Sequence, residues 1–146
     1  MTDKWIRRYL KHARDVATWS KDFSTQVGAV IVRPDNTPFM TGFNGFPKKL
    51  RDLPEFYEDR GVKYSRTIHA EMNAFIHARG DVTGCMLLTW PLAPCDRCVV
   101  HLIEAGIIEF IFPRLAPELA ARWGQSTQLS KDYITEAGLR FQEVEP

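Results

Sequence analysis

Two short segments carry the residue types that do chemistry. One is His69-Ala70-Glu71; the other, about 25 residues later, is Pro94-Cys95-Asp96-Arg97-Cys98. Imidazole and thiolates are zinc ligands, and a catalytic zinc takes three protein ligands and leaves a fourth position for water. His69, Cys95 and Cys98 supply three. Two cysteines in a Cys-x-x-Cys step reach one ion from the first turn of a helix, where the helix dipole helps to keep them ionised. Bound zinc lowers the pKa of water toward neutrality. The released proton needs a carrier, and Glu71, two residues from His69, suits general acid/base catalysis. A purely structural zinc site would instead recruit a fourth ligand, for which His101 and Cys85 are the candidates. A redox Cys-x-x-Cys pair would leave His69 and Glu71 without a role.

These groups need elements to hold them. Residues near Asp3 to Trp19 have Trp5, Ile6, Tyr9, Leu10, Ala13, Val16 and Ala17 at helical spacing, with Thr2 or Asp3 as N-cap. The apolar run Val27 to Val32, the turn Pro34-Asp35-Asn36 and Phe39 to Gly42 read as a hairpin. Gly42-Phe43-Asn44-Gly45 breaks the second strand, and Pro47 and Pro54 predict irregular chain from Phe46 to Tyr64. Helices are expected at Ile68 to Ala78 and Val99 to Ala105, the latter stopped by Gly106. Strands are expected at Met86 to Thr89 and at Ile107 to Phe112, closed by Pro113. Glu118 to Ala137 reads as helical with a break around Gly124, and Leu139 to Val144 as a last strand. Helices alternating with strands predict a parallel portion, and the hairpin an antiparallel one. The expected fold is α/β: a mixed five-stranded sheet in a three-layer α/β/α arrangement, one domain over residues 1–146.

Bulk composition excludes several classes. The chain is 45% hydrophobic and 25% charged, as folded soluble proteins are. With 19 basic and 18 acidic residues the net charge is +1, which argues against a nucleic-acid partner and leaves a small nucleotide allowed. Three cysteines, two of them in the Cys-x-x-Cys step, do not form a disulfide framework, and Cys85 reads as a buried thiol. No apolar run reaches membrane-spanning length, and the first residues lack a signal-peptide core, so the expected location is the cytoplasm. His12 and His77 read as ordinary residues. Lys48, Lys49 and Arg51 form a small basic cluster, read as a solvated loop or as a phosphate contact.

The chain resembles the deoxycytidylate (dCMP) deaminases of the cytidine deaminase superfamily, whose zinc signature is the split pattern above. The resemblance runs from about Trp5 to the end. It includes Ser20-Lys21-Asp22, Ser24-Thr25-Gln26-Val27-Gly28-Ala29-Val30-Ile31-Val32, His69-Ala70-Glu71-Met72-Asn73-Ala74 and Ala105-Gly106-Ile107. Its more specific marker is Gly42-Phe43-Asn44-Gly45-Phe46-Pro47, similar to Gly-Tyr-Asn-Gly-x-Pro of those enzymes. The resemblance implies a cytidine deaminase-like fold and the hydrolysis of dCMP to dUMP and ammonia. It implies zinc on His69, Cys95 and Cys98, with Glu71 as proton shuttle. It places Asn44 near the sugar of the nucleotide and Ser24 and Thr25 near its phosphate. Homo-oligomers, often hexamers, and regulation by dCTP and dTTP are further implications. Two departures touch specificity. Ala93 stands where the family has an aromatic residue before Pro-Cys, and the loop after Pro47 lacks the Cys and His that some members use for a second zinc. A small residue at that wall is compatible with another base, nucleoside or modified nucleotide. A zinc-stabilised binding module without catalysis is the reading from a different class.

Overall fold

The computed structural model describes residues 1–145. Helix α1 (Asp3–Ala17) leads into strands β1 (Gly28–Val32) and β2 (Pro38–Phe43). Helices α2 (Arg60–Arg66) and α3 (Ala70–Ala78) precede β3 (Met86–Trp90). Then α4 (Asp96–Glu104), β4 (Glu109–Pro113), α5 (Ala120–Glu136) and β5 (Arg140–Val144) complete the order. The five strands form one sheet, ordered β2-β1-β3-β4-β5. β1 is antiparallel to both β2 and β3, whereas β3, β4 and β5 run parallel. Parallel neighbours need crossovers, and α4 and α5 provide them.

Every residue of β1 is buried, as a strand covered on both faces must be. Side chains alternate along a strand, so Ala29 and Ile31 join one core with Leu87, Phe110 and Phe112. Val30 and Val32 join the other with Leu88 and Ile111. Helix α1 covers that second face with Ile6, Tyr9, Leu10 and Ala13, so its aromatic stripe packs the core. Residues of α3, α4 and α5 cover the first face. Phe110, Phe112, Leu87 and Leu88 are fully buried. Burial of such side chains contributes about 1.5–3 kcal/mol each relative to exposure. No helix among the described residues is long and apolar enough to cross a membrane.

Three local expectations are corrected. The segment after Pro47 is not irregular throughout: it holds a 3-10 turn (Pro54–Tyr57) and α2. Asp59 caps α2 by accepting from the Val62 N–H at 3.0 Å, and Phe46 stacks on Tyr57 at 4.5 Å. Gly124 does not break α5, which runs through it, since one glycine lowers helix propensity without blocking a helix fixed by packing. Helix α4 begins at Asp96, ahead of Val99, because Cys95 caps it. The expected break at Gly42-Phe43-Asn44-Gly45 holds: β2 ends at Phe43.

The Gly42 position has a steric cause. A Cβ there would lie 2.3 Å from the Ala70 carbonyl oxygen and 2.4 Å from the Ala74 nitrogen. The backbone of α3 therefore rests directly on β2, and this contact sets the height of the helix that begins at His69. Gly42→Ala is expected to destabilise the fold by about 1–3 kcal/mol or more and to lower zinc retention. Gly124→Ala, with nothing within 4 Å of its added Cβ, is expected to stabilise by about 0.5–1 kcal/mol. Urea unfolding of the two variants, with zinc content by mass spectrometry, checks both signs.

Candidate active site

Both ligand segments sit where a helix begins. His69 immediately precedes α3, with φ −67° and ψ 155°, and Cys95 precedes α4, with φ −70° and ψ 161°. The Cys95 sulfur accepts from the Cys98 N–H at 3.4 Å, so the Cys-x-x-Cys step is its own helix cap. The parallel pairing of β3 and β4 and the seat of α3 on β2 bring these two helix starts together. His69 Nδ1 lies 3.4 Å from Cys95 Sγ and 3.4 Å from Cys98 Sγ. Tetrahedral zinc with Zn–S of about 2.3 Å and Zn–N of about 2.0–2.1 Å separates such donors by roughly 3.5 Å. The three donors therefore fit one zinc ion.

Glu71 completes the cluster: the ligating atoms of His69, Glu71, Cys95 and Cys98 all lie within 4.8 Å of one another. Neither His101 nor Cys85 belongs to this group. The His101 ring pairs with the Arg97 carbonyl at 2.7 Å on an exposed face. Cys85 is a buried free thiol in the core, its pKa pushed up by burial. Cys95 and Cys98 are also free thiols, not a disulfide.

The electrostatics follow from burial and mutual contact. Glu71 is 3% exposed, and burial raises its carboxyl pKa above the ordinary carboxylate value. Hydrogen bonding from the Cys98 thiol, opposed by burial and aided by His69, lowers Cys95 to about 4. The same contact, with burial, raises Cys98. The neighbouring Cys95 sulfur, against the cost of burial, raises His69 to about 9.

The cluster opens into a pocket. Its near wall includes Asp22, Thr25, Val27 and Asn44, and Leu92 and Ala93 border it beside Cys95. Thr25 Oγ1 is buried and has no hydrogen-bond partner among the described residues. The Asn44 amide is engaged at both ends: Oδ1 accepts from the Val27 N–H at 2.8 Å and Nδ2 donates to the Thr25 carbonyl at 2.9 Å. Asn44 thus shapes the loop that presents Thr25. Ser24 is exposed and is not among the pocket-lining residues; its N–H donates to Asp22 Oδ1 at 2.8 Å. Lys48 and Lys49 border a different groove, beside Phe43 and Phe46.

Sequence reasoning missed the far wall. Lys63 and Tyr64 of α2 and Arg122, Trp123, Ser126 and Thr127 of α5 also line the pocket. Ser126 Oγ donates to Asp96 Oδ1 at 2.6 Å and accepts from the Asp96 N–H at 3.1 Å, which locks α5 to the start of α4. The only sequence signal for this wall was the polar face of the α5 segment, which looks like any solvated helix face.

Residues 3–113 match the family described as the cytidine and deoxycytidylate deaminase zinc-binding region. The chain belongs to that family. A protein of Aliivibrio fischeri named "Uncharacterized deaminase in luxG 3'region" is 38% identical over 139 residues, covering 95% of this chain and 92% of the relative. The probable deoxycytidylate deaminase of Caenorhabditis elegans is 34% identical over 143 residues, 94% of this chain and 68% of the relative. The dCMP deaminase of cyanophage S-TIM5, solved in complex with dCMP and dUMP, superposes with a TM-score of 0.77 at 19% identity. That superposition covers 99% of each chain and shows a shared fold. As a member of this zinc deaminase family the chain is an enzyme of hydrolytic deamination, and its His69, Glu71, Cys95 and Cys98 are placed to hold and serve the metal.

Zinc absorption spectroscopy is expected to give two sulfur ligands near about 2.3 Å and one nitrogen near about 2.0–2.1 Å. Cys98→Ser is expected to lower the sulfur count and bound zinc. Glu71→Gln should leave the protein-ligand set intact; loss of a protein oxygen ligand in that variant would make Glu71 a ligand rather than a proton carrier.

Proposed function

We propose that this chain hydrolyses dCMP to dUMP and ammonia. The observation that carries the reading is the convergence of His69, Cys95 and Cys98 beside a buried Glu71 at the base of a pocket. Support for the nucleotide comes from relatives named deoxycytidylate deaminase in Caenorhabditis elegans, mouse and human.

Zinc bound to His69, Cys95 and Cys98 supplies Lewis acidity that makes water nucleophilic at neutral pH. Everything else falls to the chain's own side chains. Glu71 accepts a proton from the attacking water as the oxygen bonds to C4 of the cytosine, and delivers it to N3. It then takes the proton of the new hydroxyl and delivers it to the amino group. The C4–N bond breaks, ammonia leaves, and C4 keeps the oxygen as a carbonyl. A carboxyl whose pKa is raised by burial suits both directions of transfer, since general acid/base efficiency peaks when the pKa lies near the working pH. Thr25 offers the sugar and phosphate side an unpartnered hydroxyl, Asn44 holds the loop that presents it, and Ser24 lies beside it. The assembly in this reading is a homo-oligomer with dCTP and dTTP as effectors.

Ala93 at the pocket edge favours one second reading: a wall of this size accommodates a bulkier or modified base. Ammonia release from dCMP, deoxycytidine, cytosine, adenine and guanine separates the two. The expected result is fastest release from dCMP, with Glu71→Gln slower by about 10²–10⁴-fold at unchanged zinc content. Faster release from a purine or a free base would favour the second reading. Light scattering is expected to give a particle mass that is a multiple of 16.8 kDa.

A further inference from the structure

The first turn of α4 carries two of the three metal donors, so whatever fixes that turn fixes the metal centre. Helices α4 and α5 cover the same face of the sheet, and much of what joins them is apolar. Val99 and Leu102 of α4 share a core with Tyr133 and Ile134 of α5. Apolar contact is non-directional. It holds two helices together without aiming any one atom. Cys95 Sγ and Cys98 Sγ, each 3.4 Å from His69 Nδ1, need aim, because ligand distances at a metal are held to about 0.2 Å.

Among the described residues, one pair makes the polar contacts between the two helices. Ser126 Oγ of α5 donates to Asp96 Oδ1 at 2.6 Å and accepts from the Asp96 N–H at 3.1 Å. Hydrogen bonds are directional, and two from one hydroxyl to the backbone and side chain of one residue fix its position and its orientation. Asp96 is the first residue of α4, directly after Cys95 and two before Cys98. Its N–H is one of the helix-start donors that have no intrahelical partner. The Cys98 N–H is another, and it goes to Cys95 Sγ at 3.4 Å. Ser126 thus takes a donor that the Cys95 sulfur does not, and both bonds hold the turn that presents the sulfurs. Ser126 also lines the pocket, so α5 is registered on the metal centre at the point where its side chains face the cavity. Ser130, about one turn further along α5, makes no such link: its hydroxyl is buried and has no partner among the described residues.

We propose that Ser126 is a positioning residue of the metal centre. Through the backbone and carboxylate of Asp96 it sets where the first turn of α4 presents Cys95 and Cys98, and so sets the affinity and geometry of the zinc site. It acts through Asp96, not on the ion or the reacting atoms. Ser126 lies beyond the family-matched residues 3–113, so this support for the family's metal site comes from outside the matched segment. The inference uses the zinc site alone and holds whichever base is deaminated.

The test reads the metal and needs no turnover. Zinc affinity is measured by competition with a chromophoric chelator. The absorption bands of the cobalt(II)-substituted protein report how the thiolates are placed. Ser126→Ala is expected to bind zinc about 10–100-fold more weakly, as removal of a partner that orients a ligand does, and to shift the cobalt bands. Ser126→Thr keeps the hydroxyl, and Ser130→Ala removes a different one from the same helix. Both are expected to stay within about threefold of wild type, well inside that range, with wild-type bands. Circular dichroism shows that each variant is folded. Should Ser126→Ala not fold, Ser126→Val against Ser126→Thr, alike in shape and different in the hydroxyl, gives the same comparison. Wild-type affinity and bands in the variant without the hydroxyl, or an equal loss in Ser126→Thr or Ser130→Ala, overturns the proposal.

Discussion

One constraint organises the molecule: two helices must begin at the same point above the sheet. His69 and Cys95 each occupy the last extended position before a helix, and each is a metal donor. At a helix start the free N–H groups and the dipole favour negative charge, which is where thiolates and their cation belong. Donor separations of 3.4 Å leave little tolerance. The sheet meets that tolerance with bare backbone contact. Gly42 lets α3 lie on β2 without an intervening side chain, and Gly28 does the same for α1, whose Ala13 oxygen would meet an added Cβ at 2.0 Å. The two faces of the sheet are thus each pinned by a glycine. The metal cluster inherits its geometry from this packing, not from flexible side chains reaching toward an ion.

Burial then sets the protonation chemistry. Glu71 stands in the first turn of α3, two residues from a metal donor and almost fully enclosed. Enclosure disfavours its anion, and burial is the largest effect on its carboxyl. A carboxylate on an exposed turn would be ionised well below neutrality and a poor proton carrier. Enclosure is what separates Glu71 from an ordinary surface carboxylate.

The pocket divides by origin. Its floor comes from α3 and α4 and lies inside the segment shared with the deaminase family. Its rim comes largely from α2 and α5. The Lys63–Asp22 pair ties α2 to the loop before β1, and Asp96–Ser126 ties α5 to α4. A buried ion pair gains little net stability, since desolvation offsets much of the attraction. Retaining one on the pocket wall makes sense as a means of fixing where charge is presented. Lys63 and Tyr64 lie inside the family-matched residues 3–113, whereas Arg122, Trp123, Ser126 and Thr127 of the same rim lie beyond them.

Short-range features of the sequence singled out the cluster of His69, Glu71, Cys95 and Cys98 and the alternation of strands and helices that makes a mixed sheet. These are local properties: ligand type and spacing, runs of β-branched residues, and turn residues such as Gly106, which takes a left-handed φ of 96°. It also carried the family resemblance. It did not reveal α2, because a seven-residue helix has too few turns for a periodic signal. It misread Gly124, because a glycine reads as a break when its neighbours in space are unknown. The far wall was invisible for the same reason. Arg122 and Trp123 stand 27 or more positions from Cys95 and 58 or more from Tyr64. Only the crossover that returns α5 over the sheet, locked by Ser126 on Asp96, brings them to the mouth of the site. The His69, Glu71, Cys95 and Cys98 cluster was legible in short-range spacing; the shape and charge of the space in front of it were decided by long-range packing, which short-range spacing does not encode.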